Sequence, residues 1–228
     1  MNRTQQIIAL WFDQTYRTRG TAYLRPKKAY RIFHVLANTQ TGDQVLDIAC
    51  GAGLLGLASG NDIEYTGIDI SQEAINLAKK LAPNRNFITG NAEKLPFKKD
   101  TFSKVFCIGS LERMLDRSKV LNEMLRVGTD TCTFCIMVRN ATSWKWLIKR
   151  SLGMVNQSGH QDALNLQEWR DLFCKNGFII QNTVSDQWPI YKTRQLLLTQ
   201  RPADYQRIFK PFVPFRFVNE FIFVLKKA

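Results

Sequence analysis

Two aspartates and three glycines stand at spacings that could cradle a nucleotide. Gly51-Ala52-Gly53-Leu54-Leu55-Gly56 reads G-x-G-x-x-G, and Asp69 follows at about the 20-residue distance of a dinucleotide fingerprint. Glycines let the backbone approach a ligand, and an acid after the next strand accepts hydrogen bonds from ribose hydroxyls. Alone, this pattern suggests a nicotinamide or flavin dinucleotide and hence an oxidoreductase. Asp47 argues otherwise. It sits four residues before Gly51, inside the end of a strand where a dinucleotide site is apolar. A carboxylate at that depth must be paired or hydrogen-bonded. It suits a cationic ligand, or amine and backbone donors, better than a pyrophosphate.

A proton acceptor is less obvious. His160, in a polar stretch, is a candidate because imidazole as a residue type ordinarily titrates near neutrality, although a single loop histidine is more often a surface residue. Glu112, just past the fourth expected strand, is the other candidate. Cys132-x-x-Cys135 lies in a strand, where a spacing of three turns the thiols to opposite faces, and no second pair completes a zinc site. They read as core thiols, and no metal is expected.

The elements that must position these residues alternate between strands and helices, as in an α/β domain with a parallel sheet. Expected strands are 44–48, 65–68, 86–89, 104–108 and 131–138, with helices over 54–59, 72–81 and 116–126. Ser71 should cap the second of these helices. Beyond Val138 come a basic amphipathic helix (143–152), a helix over 166–176 ended by Gly177, and strands over 178–184 and 221–225. Between the last two strands Pro189, Pro202, Pro211 and Pro214 interrupt a basic, aromatic stretch, which reads as a long insertion.

Composition bounds the rest. With 228 residues, 45% hydrophobic and 22% charged, the chain is neither disordered nor low-complexity. The N-terminal apolar run, Ile7 to Phe12, is too short for a signal-peptide core, and five cysteines suggest reduced thiols in a cytoplasmic setting. The net charge of +13 is uneven: residues 1–31 carry +6, residues 32–138 carry −1 and residues 139–228 carry +8. Positive flanks imply an anionic partner, whether phosphate-bearing metabolite, nucleic acid or membrane surface.

Four segments in order carry a resemblance. Val45-Leu46-Asp47-Ile48-Ala49-Cys50-Gly51-Ala52-Gly53 resembles the first motif of the class I S-adenosylmethionine-dependent methyltransferases, with Ala49 replacing a glycine. Thr66–Ser71 resembles their ribose-binding segment. Gly90-Asn91-Ala92-Glu93-Lys94-Leu95-Pro96-Phe97 resembles their adenine-side segment, with Asn91 for Asp. Residues 100–105 and 123–127 resemble the fourth strand and the helix before the fifth. The resemblance covers about residues 40–138. It departs at Val127-Gly128-Thr129-Asp130, usually Lys-Pro-Gly-Gly, and at Arg113, commonly His.

The resemblance implies a Rossmann-like three-layer α/β sandwich. Its mostly parallel seven-stranded sheet has an antiparallel last strand, an N-terminal helical lid and an insertion before the last strand. One domain is expected over 1–228, with a cap over 1–39, a cofactor-binding core over 40–138 and substrate-side elements over 139–228. The implied cofactor is S-adenosyl-L-methionine, with S-adenosyl-L-homocysteine as product. Asp47, Ala49, Cys50, Gly51, Ala52 and Gly53 would hold the methionine end, and Asp69 the ribose. Ile70, Asn91, Ala92 and Glu93 would meet the adenine, and Ile108, Gly109 and Ser110 would lie beneath the sulfonium. Tyr16 and Arg19 belong to a stretch that either folds over the cofactor, Arg19 pairing its carboxylate, or is a solvated helix face. The expected activity is methyl transfer to a small-molecule acceptor with an anionic group or an aromatic or lipidic body. RNA binding or RNA methylation, peripheral membrane contact and a non-catalytic cofactor-binding subunit stay open, as does the oligomeric state.

Overall fold

The computed structural model describes residues 5–22, 24–153, 162–186 and 218–228. His160, Trp188, Tyr191 and the proline-rich stretch 189–214 lie outside the described residues.

Seven strands form one sheet: β1 (Gln44–Ile48), β2 (Glu64–Asp69), β3 (Asn86–Thr89), β4 (Phe102–Ile108), β5 (Gly128–Arg139), β6 (Phe178–Ser185) and β7 (Glu220–Lys227). Their spatial order is β3-β2-β1-β4-β5-β7-β6. The first five run parallel, and β7 is antiparallel to both its neighbours. The order reverses between β1 and β4, and ligands of open α/β sheets bind in the crevice beyond the strand ends at such a reversal.

Helices α1 (Gln5–Arg19), α2 (Arg31–Leu36), α3 (Leu54–Ala58), α4 (Gln72–Leu81), α5 (Arg117–Val127), α6 (Trp144–Ser151) and α7 (Leu166–Lys175) surround the sheet. Strand alternation divides the apolar side chains between two faces. Val45, Tyr65, Phe87, Phe106, Cys135 and Met137 pack against Phe33 of α2, Leu55 of α3 and Ile75 of α4. Leu46, Ile48, Ile68, Val105, Phe134 and Phe223 pack against Leu121 of α5 and against Trp169 and Phe173 of α7. Cys132 and Cys135 are buried in these two separate clusters.

Local signals set the boundaries. Ser71 caps α4 by accepting from the amide of Ala74, and Asn165 with Glu168 forms a capping box on α7. β4 and β5 begin earlier than the sequence suggests. α5 runs straight into β5 at Gly128, which pairs with Phe102 before the register shifts. The strand thus starts in the polar Gly128-Thr129-Asp130 stretch, where apolar patterning gives no signal. The N-terminal cap is more ordered than its short apolar run announces: α1 has 15 residues, and a 3-10 turn (Lys27–Tyr30) leads into α2.

Candidate active site

A cavity of about 270 Å³ opens at the sheet reversal. Its floor is the turn after β1, which needs left-handed backbone at Ala49, Gly51 and Gly53 (φ 57°, 54° and 71°). Gly51 also sits against α1: a Cβ there would fall 2.3 Å from the Tyr16 hydroxyl, which would have to move.

Asp47 ends the buried face of β1 and accepts a 2.6 Å hydrogen bond from the Tyr65 hydroxyl. Burial pushes its pKa up to about 7, the Tyr65 bond working against the rise and the charge of Asp69 adding to it. Asp69 ends β2 and joins the two turns, accepting from the Gly51 amide at 2.8 Å and the Ser71 amide at 2.9 Å. Burial lifts Asp69 to about 6 against the pull of those amides. Each carboxylate oxygen has capacity for a further donor.

The segment after β3 brings Gly90, Asn91 and Ala92 to the lining. It is braced from α5, where Glu123 accepts from the Leu95 amide at 2.6 Å while Arg126 donates to the carbonyls of Leu95 and Phe97. β4 supplies Ile108, Gly109 and Ser110, with Gly109 at φ 69° and its amide donating to Met137.

α1 lies over this floor. Ile8, Phe12 and Tyr16, four residues apart, face the cavity, and Tyr16 packs with Ala52 and Ala74. Asp13 fastens the helix to the start of α4, accepting from the Ser71 hydroxyl at 2.6 Å and the Glu73 amide at 3.1 Å. Gln5 fastens its other end by donating to Glu93 at 2.6 Å.

The opposite wall is built from distant segments. Arg25 donates bidentately to Asp186 at the end of β6 (3.0 and 2.8 Å) and also to Glu220 at the start of β7. Burial opposes the Arg25 charge, but the two carboxylates outweigh it and hold the guanidinium pKa above its ordinary value. Burial raises Glu220 above the ordinary carboxylate range despite Arg25. Tyr30, Arg113, Met114, Met137 and Arg139 complete this side.

Of the residues expected at a ligand site, Asp47, Ala49, Cys50, Gly51, Asp69, Ile70, Asn91, Ala92, Ile108, Gly109, Ser110 and Tyr16 line this one cavity. Ala52 and Gly53 lie behind the lining, Gly53 against Phe87. Glu93 serves as an anchor, accepting from Gln5 and from the Asp116 amide. Arg19 is exposed at the end of α1, outside the lining, and the arginines that line the cavity are Arg25, Arg113 and Arg139. Glu112 is fully buried in a 3-10 turn and does not line the cavity. Neither of its carboxylate oxygens has a hydrogen-bond partner among the described residues. His160 lies outside the described residues. The Ile8/Phe12/Tyr16 spacing was the available signal for the lid. Nothing local marked Arg25 or Glu220.

A family model described as a methyltransferase domain matches residues 39–190. An uncharacterised protein of Methanocaldococcus jannaschii is 36% identical over 111 residues, 49% of this chain and 43% of that protein, so the match spans less than half of that relative. The uncharacterised methyltransferase YcgJ of Bacillus subtilis is 27% identical over 179 residues, 75% of this chain and 71% of that protein. Among solved structures, geranyl diphosphate C-methyltransferase of Streptomyces coelicolor A3(2), in complex with Mg2+, geranyl diphosphate and S-adenosyl-L-homocysteine, shares the fold. Its TM-score is 0.69 at 13% identity, over 98% of this chain and 97% of that one.

Proposed function

The chain belongs to the methyltransferase-domain family, and from that membership we propose that it transfers a methyl group from S-adenosylmethionine to a small-molecule acceptor by in-line displacement. The observation that carries this reading is the pair of buried carboxylates, Asp47 and Asp69, on one cavity with the glycine turn between them. Burial makes both costly to ionise, and their proximity adds to the cost for Asp47. A ligand bearing ammonium and sulfonium charges and paired hydroxyls relieves that cost, whereas a pyrophosphate would increase it.

The residues fit such a cofactor. Asp69 is suited to accept from ribose hydroxyls, and Asp47 and the bare backbone of Gly51 to hold the methionine end. Asn91 and the Ala92 amide offer groups of both hydrogen-bonding senses for an adenine, beside the apolar Ile70 and Ile108. S-adenosylmethionine, when bound, supplies a methyl group on a good leaving group. The chain's own contribution is then to align the partners and exclude water, which the lid residues Phe12 and Tyr16 are placed to do.

The acceptor enters from the side lined by Tyr30, Arg113, Met114, Met137 and Arg139. That mixture of arginine and thioether suits a molecule with an anionic group on an apolar body. Calorimetric titration with S-adenosylhomocysteine tests the reading. The wild-type protein should bind, and Asp69→Ala should bind about tenfold or more weakly through loss of charge-assisted hydrogen bonds. Absence of binding by the wild type overturns the assignment. Equal affinity of Asp69→Ala removes Asp69 from the site.

A further inference from the structure

α6 is amphipathic with its two faces used unequally. Trp146 is turned inward, buried under the Arg139 guanidinium at 5.5 Å. The other apolar side chains, Trp144, Leu147, Ile148 and the capping Leu152, are 54%, 51%, 49% and 65% exposed. At 100° per residue these four fall within one half of the helix circumference and form one stripe. Lys145 and Lys149 flank the stripe on one side and Arg150 on the other, all exposed, and residues 139–153 contain no acid. An apolar stripe of this size facing water marks a contact surface. Its basic borders state the charge of what it meets.

We infer that this face of α6 is a docking surface for an anionic phospholipid bilayer, with the stripe in the acyl boundary and the bases at the headgroups. Charge decides among occupants. A second copy docked through the same face would bring two acid-free basic helices together, in chains that each carry +13. An aqueous polyanion would neutralise the lysines and leave the stripe in water. An anionic surface with an apolar interior satisfies both the stripe and its basic borders.

The placement gives the docking a purpose. Ser143, Lys145, Trp146 and Lys149 line a hollow that shares Arg139 and Glu220 with the main cavity. A bilayer held against α6 therefore lies beside the acceptor wall. The inference itself rests on α6 alone and not on the identity of the acceptor.

The test is sedimentation of the full chain with vesicles of pure phosphatidylcholine and with vesicles containing about one third phosphatidylglycerol. Binding is expected with the anionic vesicles, released by high salt, and weakened by about tenfold or more in the double variant Leu147→Glu, Ile148→Glu. Both changes are on exposed positions, so S-adenosylhomocysteine titration and the urea midpoint of the variant should match the wild type, which separates lost docking from lost folding. Lys145→Gln with Lys149→Gln should reduce the dependence on phosphatidylglycerol. No sedimentation with anionic vesicles overturns the inference, and so does equal binding by the double variant. A dimer in analytical ultracentrifugation that the double variant abolishes assigns the face to a second copy and overturns it too. A protein that docks but does not bind S-adenosylhomocysteine refutes the proposed function and leaves the docking intact.

Discussion

The two walls of the cavity are made in different ways. The β1–β4 side is tied together by backbone amides that donate to carboxylates of neighbouring elements: Asp69 accepts from Gly51 and Ser71, and Glu123 from Leu95. The β5–β7 side is tied by side-chain charge across long stretches of chain, with Arg25 reaching Asp186 and Glu220. These ties join elements that strand pairing already makes neighbours, so the first wall is preformed once its strands and α5 are in place. Charge ties need three separate segments to arrive together with their desolvation offset, so the second wall depends on the whole assembly.

The sharpest way to break this contrast is Arg25→Ala. Removing the guanidinium takes from Asp186 and Glu220 the cation they share, with Arg139 still acting on Glu220, which should cost about 3 kcal/mol, read as a lowered urea midpoint. A loss below about 1 kcal/mol would mean that this wall is not held by charge. Next comes Tyr65→Phe, which strips Asp47 of its donor on the opposite wall. The expected cost is about 1–3 kcal/mol.

pH sharpens the contrast further. Asp47 has its folded pKa raised to about 7, so its contribution to stability is complete below the ordinary carboxylate range and is lost as pH rises through 7. The raised Glu220 acts in the same sense. His34 is pushed down by burial and acts oppositely, but only below its ordinary value of 6.5. Between about pH 6.5 and 8 the melting temperature of the ligand-free protein should therefore fall, and Asp47→Asn should reduce the slope. Over the same range S-adenosylhomocysteine should bind more tightly as Asp47 ionises, seen as calorimetric affinity rising with pH. The smallest effect is expected at the lid. Asp13→Ala removes one ligand of the α4 start, costs about 1 kcal/mol, and should expose α1 to proteolysis first.

The same contrast explains what could be read from the sequence. Gly51, Asp69 and Asn91 stand at or just beyond strand ends, so spacing alone brings them to one place. Ser71 announces its cap because capping is local. Arg25, Arg139 and Glu220 carry no such signal: the β5–β7 pairing sets Arg139 beside Glu220, and Arg25 reaches Glu220 from the segment before the Lys27–Tyr30 turn. Arg19 shows the limit of helical phase: it shares the stripe of Ile8, Phe12 and Tyr16, but as the last residue of α1 it stands exposed beyond the cavity lining. Glu93 sits in a motif-like segment yet is turned toward Gln5, which pattern reading cannot see. β5 starts early because its first residues pair through their backbone and carry no apolar alternation.

The antiparallel β7, inserted between β5 and β6, also has a consequence for biosynthesis. A ribosome delivers the chain from its N-terminal end, and β1 to β5 with their helices can pair as they emerge. β6 then has no neighbour in the sheet, and Arg25 no Glu220, until residues 220–227 have left the exit tunnel. The β1–β4 wall can thus form early in translation, while the β5–β7 wall closes only with the last strand. Chains truncated before residue 220 should still form the β1–β4 wall while leaving the cavity open to water on its other side.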